Sequence, residues 1–189
     1  MMEFAINGGI KSGYYVLFLL LPFQLSWAQE DPPGFSEVVP FVTTPMEVVD
    51  AMMELADIKE GDVLYDLGSG DGRIPIEAAL RYGIVSIGIE IDSDLVKEAK
   101  ANAKENGVED LVTFVQGDIF ESDFSDATVL VLYLFPEINL KLRPEIEQMP
   151  RGTRVISHRF DMGDWKPQKT RKVILEDGKE HVLYYWTVP

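Results

Sequence analysis

The chain has 189 residues, 46% of them hydrophobic, enough to bury one sizeable core, so a single α/β domain is expected beyond an amino-terminal leader. Its 32 acids and 17 bases give a formal net charge of -15, which argues against nonspecific binding to nucleic acid and fits a basic or neutral substrate as well as plain solubility. With no cysteine there is no disulfide framework or thiolate metal site, and two histidines, His158 and His181, make no ligand cluster of their own, so no metal is expected.

Residues 1–28 belong to a different physical class from the rest. Lys11 precedes an apolar run over 14–25, and Ser26-Trp27-Ala28 then offers the small-x-small pattern of a signal-peptidase site. A signal peptide cleaved after Ala28 is expected, with an uncleaved membrane anchor as the alternative; either would export the domain or leave it membrane-associated, and a chain with neither would be cytoplasmic. Residues 29–40, opening with Glu30-Asp31-Pro32-Pro33-Gly34, read as a linker, and 41–189 as the folded domain.

Thr44-Pro45-Met46-Glu47 has the form of a capping box, and Met46, Val49, Met52, Met53 and Ala56 recur at helical spacing as a core stripe. Glu60-Gly61-Asp62 turns the chain into a buried strand, Val63-Leu64-Tyr65-Asp66-Leu67, followed by the glycine-rich turn Gly68-Ser69-Gly70-Asp71-Gly72 and a helix over 72–82 whose start supplies free amides. This run reads as a cofactor site. Its spacing, Asp-x-Gly-x-Gly-x-Gly, sets the third glycine one residue earlier than the dinucleotide fingerprint does, which disfavours a pyrophosphate.

The next strand, 85–92, carries Glu90 near its carboxyl end, about 20 residues beyond the glycines, where folds of this kind bind ribose hydroxyls. A crossover helix runs from Ser93 to Asn106 and stops at Gly107. The third strand, 112–118, ends in Asp118. Any one of these acids alone reads as well as a helix cap or loop carboxylate; three in order, at βαβ spacing, read as a site. A fourth strand over 127–135 ends before Pro136, a helix over 137–149 is interrupted or bent near Pro144, and 153–158 is a fifth strand. The β-rich runs 171–175 and 181–188 flank Asp177-Gly178 and predict a hairpin.

The motif from Asp66 to Gly72 resembles that of the class I S-adenosylmethionine-dependent methyltransferases. Pro40-Phe41-Val42-Thr43-Thr44-Pro45, Asp66-Leu67-Gly68-Ser69-Gly70-Asp71-Gly72-Arg73-Ile74 and Ser157-His158-Arg159-Phe160-Asp161-Met162-Gly163-Asp164-Trp165 resemble, more narrowly, the small membrane-associated protein-lysine methyltransferases, over roughly residues 38–189. The resemblance implies a Rossmann-like seven-stranded, mostly parallel sheet with helices on both faces and a closing antiparallel hairpin, in the order 3-2-1-4-5-7-6. It implies S-adenosyl-L-methionine as cofactor, held by Asp66, Gly68, Ser69, Gly70, Asp71, Gly72, Glu90 and Asp118, the last accepting from the adenine amino group. A protein lysine is the implied acceptor; a small molecule or lipid, or a non-catalytic cofactor-binding module, are the alternatives.

On the acceptor side, Tyr133 lies where this class puts its substrate-facing loop, and reads equally as a core tyrosine. Arg159 and Trp165 read as packing and an exposed ion pair, with lining of the acceptor pocket as the alternative. His158 reads as a satisfied histidine and not as a general base.

Overall fold

The computed structural model describes residues 42–189. The leader, the linker, Pro40 and Phe41 lie outside the described residues, within which no helix is long and apolar enough to cross a membrane. In chain order the elements are α1 (Met46–Ala56), β1 (Val63–Leu67), α2 (Arg73–Tyr82), β2 (Val85–Glu90), α3 (Ser93–Glu105), β3 (Val112–Gln116), β4 (Val129–Leu132), α4 (Pro136–Ile146), β5 (Arg154–His158), β6 (Lys169–Ile174) and β7 (Glu180–Thr187).

The seven strands form one sheet in the order β3-β2-β1-β4-β5-β7-β6, the expected one. β7 pairs antiparallel with β5 and β6, while the other pairings are parallel. Parallel strands with helical crossovers have both faces covered, which is why the central strands are continuous apolar runs. In β4, Val129 and Val131 join one core with α1, whereas Leu130 and Leu132 join a second with Leu142 and Ile146 of α4. A third cluster packs α2 and α3 against Val112 and Phe114 of β3.

Two sequence expectations about α1 fail. The capping box does not form: Pro45 is the N-cap, in an extended conformation, with no side-chain cap bond. The Thr44 carbonyl instead accepts from Arg73 Nη1 at 2.9 Å, which fastens the chain before α1 to the start of α2. Met46 is exposed, because the helix begins there with its buried face set by Val48, Val49, Met52, Met53 and Ala56. The helix after β4 tolerates Pro144 inside its last turn, so α4 runs to Ile146.

At the amino end of the sheet, Arg154 Nη2 pairs with Asp62 Oδ1, and its Nη1 donates to the carbonyls of Ala56 (2.9 Å) and Asp57 (2.7 Å) at the end of α1. Asp62 also accepts from the Lys59 amide at 2.6 Å and the Thr128 hydroxyl at 2.8 Å. Burial pushes the Asp62 carboxyl up, but these bonds and the Arg154 charge outweigh it and leave its pKa below the usual value. One network thus ties α1, β1, β4 and β5 together opposite the carboxyl ends, where ligands bind in open α/β sheets.

Candidate functional site

The glycine-rich turn between β1 and α2 is bonded to itself and to β2. Gly68, Gly70 and Gly72 have φ of 79°, 53° and 81°, values that favour glycine. The amides of Gly68 and Ser69 donate to the Ile89 carbonyl at 2.8 and 3.1 Å, Gly70 donates to Glu90 Oε2 at 2.9 Å, and Gly72 to the Ser69 carbonyl at 2.9 Å. Arg73, opening α2, donates its amide to Asp71 Oδ1 at 3.3 Å. Among the described residues of the turn, only the Asp71 amide is left without an acceptor. The turn itself is a closed shelf and not an anion cradle, while at the start of α2, where free amides are expected, the Ile74 amide has no acceptor among the described residues.

Around this shelf stand carboxylates. Asp66, second from the end of β1 and paired in register with Gly88 of β2 and Val131 of β4, is 2% exposed, and its carboxyl receives no hydrogen bond among the described residues. Burial, followed by the Glu90 and Asp71 charges, pushes its pKa up to about 8. Glu90, ending β2, accepts from the amides of Gly70 and Asp92 (3.0 Å), one on each oxygen, which leaves each with a further lone pair. Asp118 lies just beyond β3, half-buried, with Oδ1 accepting from the Phe120 amide at 2.9 Å and Oδ2 free of donors among the described residues. Asp71 serves the packing of the turn, since Arg73 Nε donates to both its oxygens, at 3.0 and 3.1 Å.

Two glycines are tightly packed against their surroundings. A Cβ on Gly72 would lie 2.3 Å from Phe114 Cζ and 2.9 Å from Ala99 Cβ, so Gly72 sets the close approach of α2 to β3 and α3. A Cβ on Gly88 would lie 2.5 Å from Ser69 Oγ and 2.6 Å from Phe114. Sequence reasoning passed over Gly88; a glycine inside an otherwise β-branched strand was the available signal.

On the other side of β1, Tyr133 follows β4 and His158 ends β5. Their ring centroids are 4.0 Å apart. The Tyr133 hydroxyl makes no hydrogen bond among the described residues. His158 Nε2 lies 2.8 Å from His181 Nδ1 on β7, but its Nδ1 is buried without a partner, so the reading of a satisfied histidine is corrected. Trp165 packs on Trp186 and its carbonyl accepts from Trp186 Nε1 at 2.8 Å, a role in the fold. Arg159 is exposed without an ion pair among the described residues, and its φ of 72° turns the chain sharply after β5.

The arrangement, three strand-end carboxylates around a closed glycine shelf with an open tyrosine one strand away, has counterparts among known proteins. The family model described as the ANTKMT methyltransferase domain matches residues 66–169. The chain belongs to that family. It is 41% identical over 153 residues to a protein-lysine N-methyltransferase of Saccharolobus islandicus, covering 79% of this chain and 94% of that one. It is 31% identical over 130 residues to a human lysine N-methyltransferase named for an ATP synthase subunit, of which it spans about half, 55%. A crystal structure described as an RNA methyltransferase from Salinibacter ruber, in complex with S-adenosyl-L-homocysteine, matches with a TM-score of 0.72 and 59% identity over 78% of this chain and 94% of that one.

The chain is thus an S-adenosylmethionine-dependent methyltransferase. The site fits such a cofactor on its own evidence. A buried carboxyl with no protein donor suits an amino group, an acid with spare lone pairs suits ribose hydroxyls, and a shelf of spent amides ringed by carboxylates rejects phosphate.

Proposed function

We propose that this methyltransferase acts on the side-chain amine of a protein lysine, and that Asp66, Glu90 and Asp118 hold its cofactor. The observation that carries the cofactor assignment is the closed shelf with the unpartnered Asp66 carboxyl beside it. Bound S-adenosylmethionine supplies a methyl group on a sulfonium, already activated for transfer. The chain's part is then placement: it must hold the acceptor nitrogen in line and keep water out, which can account for much of the acceleration without an obligate acid or base. Asp66 faces the amino group, Glu90 takes the ribose hydroxyls on its spare lone pairs, and Asp118 offers Oδ2 to the adenine amine. Gly68, Ser69, Gly70 and Gly72 build the floor, and Asp71 holds that floor to α2 through Arg73. On the acceptor side, Tyr133 presents an uncommitted hydroxyl.

The lysine acceptor is supported by the Saccharolobus and human relatives, whose names specify lysine, and by a net charge of -15, which attracts a cationic side chain. The Salinibacter ruber neighbour, described as acting on RNA, carries the second reading, against which the same charge weighs. Incubating the chain with labelled cofactor and host extract, treated in parallel with protease or ribonuclease, separates them: label in methyl-lysine supports the first, label lost to ribonuclease the second. We further propose that residues 1–28 act as a cleaved signal or as an anchor, delivering the enzyme to the cell envelope; mature protein beginning at Gln29, or retained at full length in membranes, is the expected result, and full-length soluble cytoplasmic protein refutes it.

A further inference from the structure

We propose that His158, braced by His181, is a positioning residue for the methyl acceptor: it fixes the Tyr133 ring so that the Tyr133 hydroxyl accepts an N–H of the incoming amine. The inference rests on the amine acceptor proposed above. A lysine arrives as an ammonium and must first lose a proton to solvent; the neutral amine then has two N–H groups and one lone pair, and only the lone pair can attack a methyl group. An acceptor oxygen that takes an N–H restricts the rotation of that amine and helps aim its lone pair. The free Tyr133 hydroxyl can do this only if its ring is held still.

The ring is held by His158. The two rings are tilted by 42° with centroids 4.0 Å apart, across neighbouring strands β4 and β5. His158 is fully buried, and the 2.8 Å bond from its Nε2 to His181 Nδ1 fixes its plane from β7. Immediately after it, Arg159 adopts a positive φ, and the Arg159 amide donates to the Val182 carbonyl at 2.7 Å, which pins the end of β5 to the strand carrying His181. His158 Nδ1 is buried without a partner among the described residues, so the ring is braced through Nε2 alone. Burial, followed by the charges of His181 and Arg159, holds the His158 pKa at about 3, so the ring beside the acceptor stays neutral and does not repel a cation.

The arrangement also bears on how many methyl groups are added. An amine carrying two methyl groups has no N–H left to give Tyr133, so the third transfer loses this alignment.

A double-mutant cycle tests the inference, with tritiated cofactor, unfractionated host protein extract as the probe, and methyl-lysine scored after hydrolysis. His181→Ala should lower the initial rate at least tenfold while cofactor affinity by calorimetry stays within twofold. In a Tyr133→Phe background it should change the rate by less than twofold, because the brace acts through the hydroxyl that is already gone. His181→Asn, whose amide can either donate to His158 Nε2 or accept from it, should recover part of the rate, and is read in the same cycle if the alanine variant fails to bind cofactor. At matched extents of monomethylation, the ratio of trimethyl- to dimethyl-lysine should rise in Tyr133→Phe. Equal loss from His181→Ala in both backgrounds, or no loss in either, overturns the positioning role. A parent enzyme that binds cofactor but forms no methyl-lysine overturns the lysine reading and the inference with it.

Discussion

Replacing Asp66 with Asn should stabilise the cofactor-free protein at alkaline pH while lowering its cofactor affinity at least tenfold. Asp66 is 2% exposed, lacks a hydrogen-bond donor and faces the Glu90 and Asp71 charges, which with burial carry its pKa from the ordinary 3.8 to about 8. Unfolded, the same carboxyl ionises at its ordinary value. Between these two values the folded protein holds a proton that the unfolded chain has released, so stability falls as pH rises through this window and levels off above about 8. At about 1.4 kcal/mol per pH unit the full cost approaches ~6 kcal/mol, and relaxation around the charge reduces this to roughly 3 kcal/mol. Asparagine, which does not ionise, escapes the penalty. For a domain of this size, 3 kcal/mol corresponds to roughly 6–12 °C in Tm. Thermal unfolding of both proteins at pH 5 and pH 9 is the assay: the variant's advantage should grow between the two, and calorimetry at pH 9 should show at least a tenfold loss of affinity for S-adenosylmethionine. An unchanged Tm difference between pH 5 and pH 9 would refute the argument that this carboxyl is held protonated by its surroundings.

Cofactor binding near neutral pH should release close to one proton, read as a dependence of the calorimetric enthalpy on the ionisation enthalpy of the buffer, because a cationic amino group favours the ionised Asp66. Glu90→Gln sets an amide nitrogen against one of the two backbone donors that Glu90 now accepts, so affinity should fall roughly 10–100-fold, the equivalent of about 1.5–3 kcal/mol, with a small loss of Tm as the Gly70 tether weakens. Gly88→Ala puts a Cβ against Ser69 Oγ and Phe114, and overpacking of this kind should cost about 1–3 kcal/mol in urea unfolding and displace the shelf; a neutral result would mean that the loop yields freely. Arg154→Ala leaves Asp62 buried without its charged partner and should destabilise by about 3–5 kcal/mol at pH 7, less in acid, since the Asp62 pKa is depressed and its contribution is lost as pH falls through the carboxylate range.

The sheet order was legible because buried parallel strands declare themselves as apolar runs, and because Asp66, Glu90 and Asp118 recur at their carboxyl ends. Boundaries were less so: β4 is Val129–Leu132, not the nine apolar residues expected, since Tyr133 to Phe135 leave the ladder while Leu134 stays in the core. What escaped depends on partners remote in sequence. Thr44-Pro45-Met46-Glu47 has the local form of a cap, but α1 takes Pro45 as its N-cap, and Arg73, 29 residues on, binds the Thr44 carbonyl just before it. The amides of the glycine turn are spent on Ile89 and Glu90, a pairing no local pattern displays. The His158–His181 pair joins residues 23 apart on adjacent antiparallel strands, and the orphaned nitrogen is visible only once both are placed.

The closed shelf and its carboxylates have a kinetic consequence. The groups they meet on the proposed reading, an amino group, ribose hydroxyls and an adenine amine, pass through the reaction unaltered. Grip of this sort is equal for the donor before and after transfer, and so lowers no barrier by itself. It also retains the demethylated product about as firmly as the fresh donor, apart from the charge lost at sulfur. The enzyme's throughput in the cell is then governed by the ratio of spent to fresh donor around it, since the two compete for the same shelf.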